Sequence, residues 1–222
     1  MSFPHPVPAI APTTSDADVI AAVLRGDRAQ FAVLVQRHNQ TMYRACRAIL
    51  RDDQDAEDAV QVAWINAFRS LASFRADASF RTWATRIAVN EATTRLRSRR
   101  RLAALPMQEQ TVDPAADPEH DAFASQLGEL LEREIDALPE GLRTVLVMRD
   151  VIELDTAETA DCLGIEEQNV RVRLHRARHA LAERLTQTMH EFAGLSAPKL
   201  WRFDGERCAR TVARVMAEIE ST

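Results

Sequence analysis

Apolar residues recur along most of this chain at three- and four-residue spacing, the pattern of helices with one buried face. No stretch keeps the strict alternation of a half-buried strand. A first helix is expected near Asp16–Leu24, stopped by Gly26. Asp27 and Gln30 form a capping-box pattern that would open a second helix to about Leu50. Its stripe is Phe31, Leu34, Val35, Met42, Ala45 and Ile49. A third helix is expected from about Asp55 to Ser70, with acids at its N-terminus and Val60, Trp64, Ala67 and Phe68 on its buried side. Ser79 would cap a fourth, running through Trp83 and Ile87 towards Arg101.

The periodicity lapses after Arg101. Residues 102–124 are rich in proline, acids and small residues, the composition of a linker. Helical spacing resumes near Ser125–Ala137 and Pro139–Val151. It continues in Asp155–Leu163 and, after Gly164, from Glu166 to about His190. The fold class expected is therefore all-α, with two small helical domains, residues 15–101 and 125–190, joined by a flexible acidic linker. Residues 1–14, rich in proline, would form a disordered arm. Residues 191–222 would form a C-terminal extension of unknown role. Within it Cys208, Val212, Val215 and Ile219 fall on one face of a short helix over Gly205–Glu220.

Charge changes this picture by its distribution, not its sum. The net charge is −5, which alone argues against a polyanion-binding protein. Yet Arg95–Arg101 holds five arginines, and Arg171–Arg184 holds five arginines and two histidines. Asp52–Asp58 holds five acids in seven residues, and Leu102–Glu132 holds seven acids with no lysine or arginine. Local patches, not the total, decide where nucleic acid docks.

Asp155–Thr188 is the most informative segment. Asp155 and Glu158 make a capping box, Ala157, Ala160 and Leu163 give a short helix a small-residue face, and Gly164 marks a sharp turn. The long helix that follows gives this stretch helix-turn-helix spacing. At about 100° per residue, Val170, Leu174, Ala177, Leu181 and Leu185 share a buried face. Gln168, Val172, His175, Arg176 and His179 lie roughly opposite, with Arg171 and Arg178 at one edge and Arg173 at the other. Such an outward face can read base edges while the flanking arginines hold phosphates.

In the first domain, the segment from Ser73 interleaves Phe74, Phe80 and Trp83 with Arg75, Arg81 and Arg86. Aromatic faces can stack on unpaired bases and arginines neutralise the backbone, but aromatics at helical spacing also build cores. The acidic run Asp52–Asp58 has a similar choice, a solvated face or a dock for a basic partner.

Taken in series, these segments resemble the extracytoplasmic-function (ECF) sigma factors of bacterial RNA polymerase. DAEDAVQVAWINAFRSL resembles the family's polymerase-clamp segment, FRADASFRTWATRIAVNEA its promoter-melting and −10-reading segment, and LPEGLRTVLVMRDV with ETADCLGIEEQNVRVRLHRARHAL its −35-reading domain. The match spans about Asp16–Leu185. The resemblance implies that residues 15–101 form sigma region 2 and residues 125–190 sigma region 4. Asp55, Asp58 and Gln61 would meet core RNA polymerase. Phe74, Arg75, Phe80, Arg81, Trp83, Arg86, Asn90 and Arg97 would engage the −10 element, with Asn90 helping to read a flipped base in a pocket formed by the loop from Phe74 to Ser79. Gln168, Arg171, Val172, Arg173, His175, Arg176 and Arg178 would engage the −35 element. Val172 stands where family members often carry a small polar residue, so a thymine methyl is its natural contact. Partners implied are core polymerase, promoter DNA as duplex and melted strand, and an anti-sigma factor.

Two other readings compete. A sigma-mimicking regulator that captures an anti-sigma factor would carry a receiver domain, for which this chain has no room. A stand-alone helix-turn-helix repressor would not need the first domain. An enzyme is not expected: no H-E-x-x-H, G-x-S-x-G or phosphate loop occurs, and no cofactor or metal is implied. Cys46, Cys162 and Cys208 are too scattered for a disulfide framework or zinc site and read as small apolar residues. No apolar run nears the roughly 20 residues of a membrane span, and no secretory signal opens the chain, so a cytoplasmic location is expected.

Overall fold

A computed structural model describes residues 14–103, 122–188 and 205–221. Nine α-helices and no strand occur among them. The arm, most of the linker and the start of the C-terminal extension lie outside the described residues.

The first unit is built on α1 (Asp16–Leu24), α2 (Phe31–Leu50), α3 (Asp53–Arg69) and α4 (Phe80–Ala103). Helices α2, α3 and α4 pack mutually. Their facing residues explain why. Helix α2 supplies large residues, Phe31, Leu34, Val35, Met42 and Ile49, all buried. Helices α3 and α4 answer with alanines (Ala56, Ala59, Ala63, Ala67; Ala84, Ala88, Ala92), which let the helices approach closely. Trp64 lies at the centre with no exposed surface, and its indole N–H donates to Asn39 Oδ1 at 2.9 Å, so the one polar atom it buries is satisfied.

Two entries to helices differ from expectation. Asp27 makes no side-chain cap; a single tight turn, Arg28–Gln30, leads into α2 instead. Helix α3 begins earlier than expected, because Asp52 caps it by accepting from the Asp55 N–H at 2.7 Å. Ser79 does cap α4, accepting from the Thr82 N–H at 3.1 Å.

The second unit comprises α5 (Ala122–Asp136), α6 (Glu140–Leu146), α7 (Thr156–Leu163) and α8 (Glu167–Thr188). The single helix expected over Pro139–Val151 is divided: α6 gives way to a wider turn at Val147–Val151, closed by the Ile152 N–H on the Val147 carbonyl at 2.8 Å. Helices α6 and α7 both pack on α8.

The two units touch. Helix α7 lies on α4 and α6 on α2, so a continuous apolar cluster runs from Trp64 through Ala88 to Met148 and Leu154. Arg143, 3% exposed, crosses this seam and donates to the Ala48 carbonyl at 2.5 Å and the Leu138 carbonyl at 2.8 Å. Arg47 grips Asp136 through two bonds of 3.1 and 2.8 Å. Finally, α9 (Gly205–Glu220) returns the chain to the first unit and packs on α2 and α3.

Candidate nucleic-acid interface

The helix-turn-helix is held by local chemistry. Asp155 accepts from the Glu158 N–H at 2.8 Å, and Glu158 accepts from the Asp155 N–H at 2.9 Å, a complete capping box. Helix α7 ends on Gly164, whose φ of +62° suits a residue without Cβ. The Ile165 N–H then closes back on the Ala160 carbonyl at 3.1 Å, and Ile165 packs towards Val145, Ala160 and Val170. This fixes the angle at which α8 leaves the turn.

On α8, Val170 and Ala177 are fully buried, while Gln168, Arg171, Val172, His175 and Arg176 are exposed. Arg171, Leu174, His175, Arg178 and His179 line a shallow groove along the helix. Two cations of this face are already engaged. Arg171 bonds Glu167 at 2.6 Å, and Arg178 makes a two-pronged pair with Asp150 at 2.9 and 2.7 Å. Arg173 is half-buried, its guanidinium laid beside Gly141 of α6.

The second candidate surface begins at the loop before α4. Ala76 there has a φ of +59°, a conformation that a residue with a Cβ adopts at a cost. This loop, with Thr82, Trp83 and Arg86, walls a cavity of about 730 Å³. Along α4, Trp83, Arg86, Asn90 and Arg97 fall within about 60° of one another at 100° per residue, so a single stripe leads from the cavity to the arginine run. Asn90 and Arg97 are exposed, and Trp83 is half-buried against Phe74, ring centroids 5.3 Å apart.

Two residues expected in this set are placed otherwise. Phe80 is 4% exposed, stacked with Trp64 and tilted against His38, so it is a core residue that props Trp83 from behind. Arg81 lies off the stripe, its guanidinium directed at the Ile152 and Glu153 carbonyls of the second unit, both at 3.4 Å.

The far wall of the cavity belongs to α7: Ala157, Glu158 and Asp161. Asp161 takes Arg86 through bonds of 3.1 and 2.9 Å, and Glu158 accepts from the Thr82 hydroxyl. Cys162, packed beneath, donates to the Thr82 carbonyl at 3.5 Å, and burial pushes its thiol up to about 12. Sequence reasoning missed Thr82, Asp150, Glu158 and Asp161 as members of these surfaces. The signal available was the outward acid pair on α7, three residues apart on a helix whose other face is apolar.

On α3, Asp55 pairs with Arg99 at 2.8 Å and Asp58 lies 4.0 Å from Arg95, both on the side facing α4; Gln61 is half-buried. Among the described residues no cluster of His, Cys, Asp and Glu could hold a metal ion, and no helix is long and apolar enough to cross a membrane.

Two family models match this chain: sigma-70 region 2 over residues 34–102 and sigma-70 region 4 over residues 128–181. The chain is 36% identical over 171 residues to the ECF RNA polymerase sigma factor SigM of Mycobacterium tuberculosis, covering 77% of this chain and 85% of that protein. This chain belongs to the ECF RNA polymerase sigma factors. It is 31% identical to SigW of Bacillus subtilis, covering 75% of this chain and 94% of that one. Among solved structures, CnrH in complex with the cytosolic domain of CnrY superposes with a TM-score of 0.56 at 25% identity, covering 78% of this chain and 97% of that one. The sigma factor RpoE of Bartonella quintana, at 20% identity, shares the fold with a TM-score of 0.55, covering 72% of this chain and 97% of that one. As a sigma factor, the protein is a subunit for transcription initiation. Region 2 thus contains the α4 stripe and one side of the cavity, and region 4 contains the helix-turn-helix and the cavity's far wall.

Proposed function

We propose that this sigma factor reads its promoter at two places, a melted −10 strand on α4 and a duplex −35 element on α8. The observation that carries this is the stripe of Trp83, Arg86, Asn90 and Arg97 leading out of the cavity behind Ala76. An aromatic wall, an amide and cations in line suit an extruded base followed by its backbone. Phe74 and Arg75 form the rim of that pocket, and Phe80 acts by holding Trp83 in place. Arg81 joins the backbone contacts only when the second unit moves away. Gln168, Arg171, Val172, His175 and Arg176 face the major groove, and Arg173 and Arg178 flank it.

Core polymerase would dock on α3 at Asp55, Asp58 and Gln61, with the in-chain partners Arg95 and Arg99 giving way to the polymerase's cations. Control by an anti-sigma factor is part of the same reading; the sigma factor RpoE, which shares this fold, is solved in complex with the anti-sigma factor NepR. The protein acts in the cytoplasm and catalyses no reaction itself.

The test is permanganate footprinting of promoter melting by core polymerase carrying wild-type protein or Asn90→Ala, with −35 duplex binding measured in parallel. Melting should fall about tenfold or more while −35 binding stays within about twofold, since truncating a side chain in one domain leaves a distant one undisturbed. Equal loss of both, in a folded protein, would remove Asn90 from the reading site.

A further inference from the structure

The C-terminal helix is bound to the first unit more thoroughly than a frayed end would be. Val212, Val215 and Ile219 are buried in the groove between α2 and α3. Arg207 lies over the Tyr43 ring at 4.7 Å, donates to the Tyr43 hydroxyl at 2.6 Å and pairs with Glu57 at 2.9 Å. Arg210 reaches the same Glu57 at 3.8 Å, and Cys208 accepts from Asn39 at 3.4 Å. At the far end, Arg28 donates to the Ile219 carbonyl at 3.2 Å, satisfying a helix-terminal acceptor. Asp55 and Asp58 stay on the other side of α3, facing α4, so α9 leaves that candidate polymerase surface uncovered.

The consequence is topological. Region 4 lies in the chain between α4 and α9, and both belong to the first unit. It is therefore tied to that unit twice, by residues 104–121 on one side and by the 16 residues 189–204 on the other. Sixteen residues reach roughly 55 Å when fully extended. Elements centred about 25 base pairs apart lie roughly 85 Å apart along B-form DNA. Even with the length of α8 added, a docked α9 leaves the second connection little slack when the units part. Tying both ends also raises the effective concentration of α7 at the α4 cavity, where Asp161 and Glu158 hold Arg86 and Thr82.

We propose that α9 is a latch: docked between α2 and α3, it favours the closed arrangement in which α7 covers the α4 cavity, and its release lets region 4 swing away. The closed arrangement is the one the structure shows. The link to DNA binding rests on the −10 reading proposed for α4. A 16-residue helix is marginal on its own, so release and unfolding of α9 are one event, which makes the latch two-state.

The experiment uses the full chain with fluorophores at the exposed Leu24 and Glu183, introduced as unnatural amino acids. Val215→Asp places a charge in the buried face. The double variant Arg207→Ala and Arg210→Ala removes the ion pairs and keeps the apolar stripe, so it serves if the first fails to fold. Release is confirmed by the loss of about one helix in circular dichroism. The latch predicts a longer mean distance between the fluorophores. It also predicts at least about fivefold tighter binding of a single-stranded −10 oligonucleotide by the free protein. A released α9 with an unchanged distance overturns the latch. A longer distance with unchanged oligonucleotide binding supports the latch and counts against the −10 assignment, so the two failures are distinguishable.

Discussion

Arg176 and Arg178 stand two residues apart on α8 and meet different surroundings. Arg176 is on the outward, exposed face that the proposed −35 reading turns towards base edges, whereas Arg178 is at the edge, paired with Asp150. A bidentate arginine–guanine pair is worth about 1–3 kcal/mol of discrimination, while a bond to phosphate carries no sequence information directly. Arg176→Ala should therefore weaken holoenzyme binding to the preferred −35 element more than to altered ones. Arg178→Ala should weaken all alike and reduce the salt dependence by about one phosphate's share. Binding to a panel of −35 variants at two salt concentrations checks both. The outward face was legible because a helix has one angular period and Val170 and Ala177 fix its buried side. The pairing of Arg178 with Asp150 was not, because it joins residues 28 apart through a turn whose shape periodicity does not reveal. Cys162 gives a second prediction. Its thiol stays protonated in the fold up to about 12, whereas an unfolded thiol ionises near its ordinary value of about 8.5. Its contribution is thus complete below about pH 8.5 and is lost as pH rises towards 12. Thermal melts across that range should show a falling midpoint, and Cys162→Ala should flatten part of the fall. The same slope in the variant would place the alkaline sensitivity elsewhere.

At the scale of elements, capping divides the expectations that held from those that did not. Asp155 and Glu158 were read as a box and form one, with one Glu158 oxygen on the Asp155 N–H while the other takes the Thr82 hydroxyl. Asp27 and Gln30 carry a similar pattern, yet the chain tightens there to bring Phe31 into the core, and burying that ring outweighs a cap bond. Asp155→Ala should cost about 1 kcal/mol and lower the thermal midpoint by several degrees. It should also weaken −35 binding, because it loosens the start of the helix-turn-helix. Calorimetry beside a duplex-binding assay measures both, and a stable variant with normal binding would show that the box is dispensable. The amphipathic stripe of α9 was visible in sequence, but its berth was not. A stripe says that a face is buried, and only the groove between α2 and α3, with Tyr43 and Glu57 at its rim, says against what.

For the whole molecule, the composition of the linker suggested two independent units, while the structure holds them together over the α4–α7 and α2–α6 seams. Sequence periodicity could not show this, because much of the seam is polar and pairs distant residues: Arg86 with Asp161, Arg47 with Asp136, and Arg143 with the Ala48 carbonyl. Of these only Arg86–Asp161 is an exposed pair, of the order of 1 kcal/mol or less, whereas the Arg47 and Arg143 contacts are largely buried, so opening the closed arrangement takes a partner that binds each unit separately. Core polymerase is such a partner. The free protein should therefore bind promoter duplex weakly and with little preference, and acquire both on joining polymerase. The most direct measurement is run-off transcription by core polymerase with this protein. It compares one promoter bearing both elements with templates in which either element is scrambled. The account predicts protein-dependent transcripts from the intact promoter and a drop of at least about tenfold when either element is scrambled. Tight, sequence-specific duplex binding by the free protein, with no polymerase-dependent start on any template, would contradict it.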